Sequence, residues 1–298
     1  MRKEIKFKPM CRVVLAPWEV EALQRVTRGG ATFSDQNILR IEAGHSRGHV
    51  LYDATTGRLF KPSYCPNEEV EAYINNIINY KNKIIAYEEN KWIVLHIRSD
   101  NYYKLLPTTR GSPPSIEING IHMHRISGTD PWRDTLAKIK AARVGPGDTV
   151  LDTCMGLGYT AIASVLKGAR EVYTAEIDEN VILLARYNPW SFDLARETIK
   201  IFNNNIIELI LDFQNEYFTR IIHDPPRFTS HTGELYSLEF YKELYRVLKP
   251  GGILFHYTGE PGRKHGSNFP GRISGKLKSI GFRVLRYDKR AQGIVARK

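Results

Sequence analysis

The sequence predicts an α/β protein: a parallel sheet with helical crossovers, preceded by a smaller α+β domain. Three observations carry this reading. Strand-forming runs that end in an acid recur at residues 148–152, 171–176 and 221–224. Helix-like segments follow the first two, as parallel strands require of their connections. Two glycines, Gly156 and Gly158, come directly after the first run, and Pro225 and Pro226 come after the third. The carboxyl ends of parallel strands share one rim, where open sheets bind ligands. Asp152, Glu176 and Asp224 are therefore expected on that rim together.

In chain order, residues 1–125 form the expected α+β domain and residues 126–298 the larger sheet domain. In the first, residues 13–16, 49–52 and 92–97 read as short strands, with Thr56 and Gly57 turning the chain between Leu51 and Leu59. Residues 67–80 open on Asn-Glu-Glu and carry apolar residues near helical spacing, which predicts a helix. Arg40, His45, Arg47, His49, Arg58 and Lys61 make the domain basic. They suit RNA phosphates, or else belong to a domain that only completes the fold. His122 and His124 alternate along an expected strand and read as structural, so no metal site is predicted. Residues 104–116 hold Pro107, Gly111, Pro113 and Pro114 and read as a loop near the boundary.

The second domain opens with a helix running to Ala142, with Thr129 or Asp130 as its cap and Pro131 in its first turn. Next comes the loop Asp152, Thr153, Cys154, Met155, Gly156, Leu157, Gly158, Tyr159. Its glycines permit dihedrals that other residues avoid and let the backbone pass close to a ligand. The plainer reading is a simple strand-to-helix turn. Glu176, followed by Ile177 and Asp178, suits a ribose diol, because a carboxylate accepts both hydroxyl hydrogens. A capping or solvated acid is the plainer alternative, and Asp178 reads as the opening of the next helix. After Asp224, the two prolines cannot continue a ladder, so the chain leaves the sheet in a rigid loop through Arg227 and Phe228. A helix over 234–248, a turn over 249–252 and a strand over 253–257 follow. The basic loop 259–266 then either flanks the active rim or is a solvated loop. Residues 282–287 and 293–296 read as a closing antiparallel hairpin.

From about residue 125 onward, the chain resembles the class I S-adenosylmethionine-dependent methyltransferases, which are built on a Rossmann-like sheet. The resemblance rests on Asp152 with Gly156-Leu157-Gly158, on Glu176, on Asp224-Pro225-Pro226, and on the run from Leu248 through Gly251-Gly252 to Phe255. It implies S-adenosylmethionine as cofactor, held by Asp152, Thr153, Cys154, Met155, Gly156, Gly158, Tyr159, Glu176, Ile177 and Asp224. Asn204 or Asn205 would read the adenine amino group, and the segment from Ser127 to Thr135 would lie over the methionine end. Cys154 stands where the family carries a further glycine. Arg227 displaces the aromatic that commonly follows the prolines, leaving Phe228 one place later.

In amino-group methyltransferases, the acid and the first proline carbonyl accept the two hydrogens of a planar exocyclic amine. Carried over, Asp224 and Pro225 orient the amine, Pro226 stiffens the turn, and Phe228 or a nearby tyrosine stacks on the base. Arg227 stacks, grips a phosphate or pairs with a structural acid. The alternative for Asp224 is support of the adenosyl group alone. The Asp-Pro-Pro-Arg-Phe run, with Tyr257-Thr258-Gly259, is most similar to a group of archaeal methyltransferases. That similarity implies RNA as partner, ribosomal RNA or a ribosomal subunit, with cytidine N4 preferred to adenine N6 and guanine N2. The base must then be unpaired or flipped. An aminopropyltransferase using decarboxylated S-adenosylmethionine and a polyamine shares the core and remains an alternative. Methyl transfer to tRNA or protein remains one too.

Charge agrees with a polyanionic partner. Lys and Arg number 43 against 32 Asp and Glu, a formal +11, which attracts nucleic acid and ill suits a polycationic acceptor. Sixteen Tyr and twelve Phe offer stacking surfaces, although most aromatics are core residues by default. Cys11, Cys65 and Cys154 lack metal-ligand spacing and cannot all pair, so a reducing, cytoplasmic setting is expected. No run of about twenty apolar residues and no signal-peptide core is present, so no membrane partner is expected.

Overall fold

The computed structural model describes residues 4–27, 38–43, 48–74, 77, 82–259 and 268–298. The chain divides into two compact units. One comprises Met1–Phe7, Arg133–Glu179 and Leu194–Lys298; the other comprises Lys8–Trp132 and Asn180–Asp193.

The first unit is an eight-stranded sheet. Its order is Glu4–Ile5, Ile199–Phe202, Glu171–Ala175, Thr149–Asp152, Phe218–His223, Leu248–Tyr257, Gly293–Arg297, Arg283–Asp288. The five strands from Ile199–Phe202 to Leu248–Tyr257 run parallel, and Glu4–Ile5 and Gly293–Arg297 pair antiparallel on either side. Strand order reverses at Thr149–Asp152, which is where sheets of this kind open a crevice for ligands. Val150, Leu151, Ile221, Ile222, Leu254 and Phe255 are fully buried, as expected of parallel strands covered on both faces.

Two details differ from the sequence reading. The helix expected over 234–248 is split into a short 3-10 turn, Gly233–Tyr236, and the helix Leu238–Val247. The break falls at Ser237, whose hydroxyl caps the second segment by accepting from Phe240 N at 3.0 Å. The turn expected over 249–252 lies within the strand Leu248–Tyr257 as a bulge. Phe218 pairs with Leu248 but Arg220 with Ile253, and Gly251 absorbs the extra residues at φ 79°.

The second unit carries three antiparallel sheets and the helix Pro17–Thr27. One sheet is Ile38–Ala43, Gly48–Asp53, Arg58–Phe60 and Glu71–Tyr73; the second is Val14–Leu15, Ile85–Glu88 and Lys91–Val94. The third is Ile121–His122, Ser115–Ile118, Tyr102–Leu106 and His96–Arg98. The helix expected over 67–80 is overturned where the chain is described. Glu71–Tyr73 is a strand against Arg58–Phe60, with Ala72 buried between exposed Glu71 and Tyr73. That period-two alternation outweighs the Asn-Glu-Glu start. The helix that sequence reading missed, Pro17–Thr27, begins with a proline, and the buried Glu19 carboxylate accepts Ala16 N at 2.8 Å.

The division between units is not one cut near residue 125. Glu4–Ile5 joins the parallel sheet at its edge, and residues 180–193 belong with the second unit, where Trp190 meets Trp132 and Phe192 meets Tyr64. Cys11 and Cys65 form a disulfide with Cα atoms 5.8 Å apart, while Cys154 is free. Sequence reading, which established only that the three cysteines cannot all pair, did not anticipate this bond. Arg58 is engaged by Glu71 at 2.9 Å; His45, Arg47 and loop residues 260–266 lie outside the described residues. Among the described residues, no helix is long and apolar enough to cross a membrane.

Candidate active site

Asp152 ends its strand fully buried, and Thr174 on the neighbouring strand donates to its Oδ2 at 2.7 Å. Its Oδ1 is buried without a hydrogen bond of good geometry among the described residues, although the Thr160 hydroxyl lies close enough to favour the ionised form. Burial pushes this carboxyl up to about 7. A buried acceptor without a good bond costs about 1–3 kcal/mol, so the geometry suits a ligand that brings a donor.

The glycine loop is tied to the next strand by two amides. Met155 N donates to Ala175 O at 2.7 Å, and Gly156 N donates to Glu176 Oε2 at 3.0 Å. Gly158 sits at φ 81°, and a Cβ there would come within 2.5 Å of Leu194. Both conditions demand glycine. Thr153, Met155 and Tyr159 are buried, so their side chains pack inward. Thr153 Oγ1 lies 2.8 Å from His223 Nδ1, and burial raises the Cys154 thiol pKa.

Glu176 Oε1 accepts Asp178 N at 3.0 Å, and burial raises this carboxyl to about 7 as well. Each oxygen retains a lone pair for a ribose hydroxyl. Ile177 beside it is 66% exposed, an apolar surface at the rim. Asn203, which sequence reading passed over, donates through Nδ2 to Glu176 O at 3.0 Å and Ile177 O at 3.3 Å. Asn205 is committed as a helix cap, its Oδ1 accepting Ile207 N at 3.0 Å. Asn204 Oδ1 accepts Asn205 N at 2.7 Å, and its Nδ2 has no partner among the described residues.

On the other side of the switch point, Asp224 leaves the strand Phe218–His223. Lys138 Nζ donates to Asp224 Oδ2 at 2.6 Å, pairs with Asp134 Oδ2 at 2.9 Å and lies 4.6 Å from the centre of the Tyr257 ring. The Lys138 side chain is 7% exposed and that of Asp224 is 22% exposed. Burial alone would lower the lysine pKa, but the Asp224 and Asp134 carboxylates outweigh it and raise it, so Lys138 stays charged. Asp224 is raised by burial, with Lys138 opposing. Asp224 Oδ1 and the Pro225 carbonyl make no hydrogen bond among the described residues, whereas the Pro226 carbonyl accepts Tyr236 Oη at 2.8 Å.

Phe228 is 44% exposed and stands edge-on to Tyr236 at 5.4 Å, with Phe269 at 6.0 Å. Arg227 is exposed, its carbonyl accepting Thr232 Oγ1 at 2.7 Å. Beneath this turn His223 and His256 are fully buried, ring centroids 4.4 Å apart. His223 Nε2 bonds Leu235 O at 2.9 Å, and His256 Nε2 bonds Tyr241 Oη at 2.7 Å. Burial lowers His223 to about 3 and His256 well below its usual range, so both are neutral and act as a frame. Lys138, Asp134 and this histidine pair were not found by sequence reading. The i,i+4 spacing of Asp134 and Lys138 was visible but indistinguishable from a surface ion pair. In the other unit, His122 bonds Glu117 and His124 bonds Ser115, each at 3.1 Å.

No family model matches the chain. Over 201 residues it is 50% identical to the uncharacterized protein MJ1233 of Methanocaldococcus jannaschii, a match covering 67% of this chain and 68% of that one. The chain belongs to the MJ1233 family. More distantly, it is 26% identical over 204 residues to a ribosomal protein L11 methyltransferase of Geobacillus thermodenitrificans, covering 62% of this chain. It is 25% identical over 175 residues to the ribosomal RNA large subunit methyltransferase I of Yersinia pseudotuberculosis, covering 51% of this chain. The chain spans 61% and 44% of those two proteins. Among solved structures, the spermidine synthase of Thermotoga maritima shares the fold, with a TM-score of 0.52 and 20% identity over 78% of this chain and 75% of that one. In this MJ1233 family member, the strand order is that of a doubly wound, Rossmann-like sheet, with the rim acids at its switch point.

Proposed function

We propose that the chain is an S-adenosylmethionine-dependent N-methyltransferase acting on an exocyclic amine of RNA, cytidine N4 of ribosomal RNA. The observation that carries this reading is the turn at Asp224. Lys138 takes Oδ2, which leaves Oδ1 and the Pro225 carbonyl as two open acceptors on consecutive residues. A primary amine on a planar ring offers two hydrogens to such a pair.

The residues across the switch point suit the cofactor. Glu176 takes the ribose hydroxyls, Asn204 the adenine edge, Ile177 the adenine face, and the buried Asp152 Oδ1 a cationic donor. When bound, S-adenosylmethionine supplies a sulfonium methyl. Asp224 and the Pro225 carbonyl hold the amine with its lone pair turned toward that methyl. Asp224 then takes up the proton shed by nitrogen, helped by the burial that raises its pKa. Exposed Phe228 offers a ring for the base to stack on. The +11 charge and the likeness to a ribosomal RNA methyltransferase support an RNA acceptor. In this reading, residues 1–125 serve RNA recognition and the protein works in the cytoplasm.

The spermidine synthase fold favours a second reading, aminopropyl transfer to a polyamine. The charged Lys138 beside Asp224 disfavours a polycation there. One experiment separates the two. Extract fractions from a strain lacking this gene are incubated with the protein and methyl-labelled S-adenosylmethionine, and labelled RNA is digested for nucleoside mass spectrometry. The expected product is N4-methylated cytidine. Label in protein or small molecules, with RNA blank, overturns the proposal.

A further inference from the structure

We propose that an arginine-lined cleft at the amino rim of the sheet is a second RNA site, which grips backbone phosphates away from the reacting base. The choice of RNA as occupant rests on the function proposed above. The cleft, about 400 Å³, is lined by Arg143, Arg220, Arg283 and Arg297 with Ile253 and Leu285. Arg220, Ile253, Arg297 and Arg283 are successive register partners across four adjacent strands. Register partners point to the same face, so three guanidinium groups share one row spanning roughly 14 Å.

Such a row is costly without an anion. Arg283 and Arg297 lie directly opposite each other, and like charges in that position destabilise a sheet. Two of the four arginines are fixed in place. Arg220 donates to Arg143 O at 3.1 Å and Thr219 O at 2.8 Å and has Asp148 at 3.4 Å; Arg297 Nε donates to Gly251 O at 3.2 Å. Gly251 permits this approach, since a Cβ there would meet Arg297 at 3.2 Å. The Arg143 and Arg283 side chains make no hydrogen bond or ion pair among the described residues. Among the described residues, Asp148, paired with Arg220, is thus the one carboxylate in ion-pair contact with this cluster, and all four arginines line the cleft. Exposed Leu285, 36% accessible, adds an apolar patch suited to a ribose or base. Arg220 precedes Asp224 by four strand residues, about 13 Å, so a long RNA can reach both rims while a short oligonucleotide cannot.

The test uses the full chain and compares it with the double variants Arg143→Glu/Arg283→Glu and Arg143→Ala/Arg283→Ala. Affinity for a folded ribosomal RNA fragment is measured by fluorescence anisotropy across a salt series, with cofactor affinity as the control for folding. The expected result is at least tenfold weaker RNA binding for the glutamate variant. For the alanine variant, the slope of log affinity against log salt should fall by about 1–2, as loss of one or two phosphate contacts predicts. Cofactor affinity and turnover on a short acceptor oligonucleotide should be unchanged. RNA affinity and salt slope equal to wild type would overturn the proposal. So would pyrophosphate binding that the variants abolish while RNA binding persists, which would make this a site for small phosphates. If no RNA proves to be methylated but RNA binding still depends on these arginines, the cleft stands and only the reaction is wrong.

Discussion

At the carboxyl rim, the sheet delivers Asp152, Glu176 and Asp224 into buried or partly buried positions; at the amino rim, the same strands and their hairpin expose Arg283 and Arg297, with Arg220 partly buried beside them. The acids work at contact distance. Their burial makes charge costly, so each needs a matched donor, from Thr174, from backbone amides or from Lys138. The guanidinium groups act over a Debye length of about 8–10 Å. One sheet thus holds a short-range site at one rim and a long-range one at the other.

The largest effect that tests this contrast should come from Asp224→Ala. Transfer is expected to fall by about 10²–10³-fold, with RNA binding unchanged and cofactor binding weakened a few-fold at most. Normal turnover would remove Asp224 from the acceptor site. Lys138→Met comes next, at about 10–100-fold in kcat. Without the cation Asp224 is harder to ionise, so the acid limb of the kcat profile should move to higher pH. A uniform loss with an unmoved limb would mean that Lys138 only stabilises the fold.

Glu176→Ala should weaken S-adenosylmethionine binding by roughly 10–100-fold, the equivalent of losing one charged hydrogen-bonding group, while kcat at saturation changes little. An unchanged dissociation constant in calorimetry would take it out of the ribose site.

The smallest expected effect is pH dependence. Asp152 and Glu176 stand near 7 in the folded chain, above the usual carboxyl values of about 4. Between about pH 4 and 7 the folded chain keeps protons that the unfolded chain has released. Their contribution to stability is therefore full below about pH 4 and is lost as pH rises through 7. Cofactor affinity should move the other way, rising as these carboxyls ionise beside a cationic ligand. Melting temperature and affinity measured from roughly pH 6 to 8 should show opposite slopes, and Asp152→Asn should flatten both.

The acids and glycines of the carboxyl rim were legible because strand periodicity and the glycine and proline breaks are local signals. The amino-rim row was not, because Arg220, Arg297 and Arg283 become neighbours only through strand pairing. Lys138 escaped for a related reason: its bond to Asp224 spans 86 residues. Asn204 and Asn205 are equal candidates in sequence, and the capping bond that occupies Asn205 Oδ1 is visible only in the folded turn. In the second unit, the strand Glu71–Tyr73 reads as helical in sequence because a three-residue alternation is too short a local signal without its pairing to Arg58–Phe60. The Cys11–Cys65 bond likewise depends on a tertiary approach across 54 residues.

The chain passes between the two units four times, after residues 7, 132, 179 and 193. A single genetic exchange near residue 125 would strip Glu4–Ile5 from the edge of the parallel sheet. It would also carry away Tyr64 while leaving Phe192 behind. Neither unit is a contiguous cassette, so recombination cannot trade one for a foreign counterpart in one step. Whatever substrate preference the second unit confers is inherited together with the chemistry of the first.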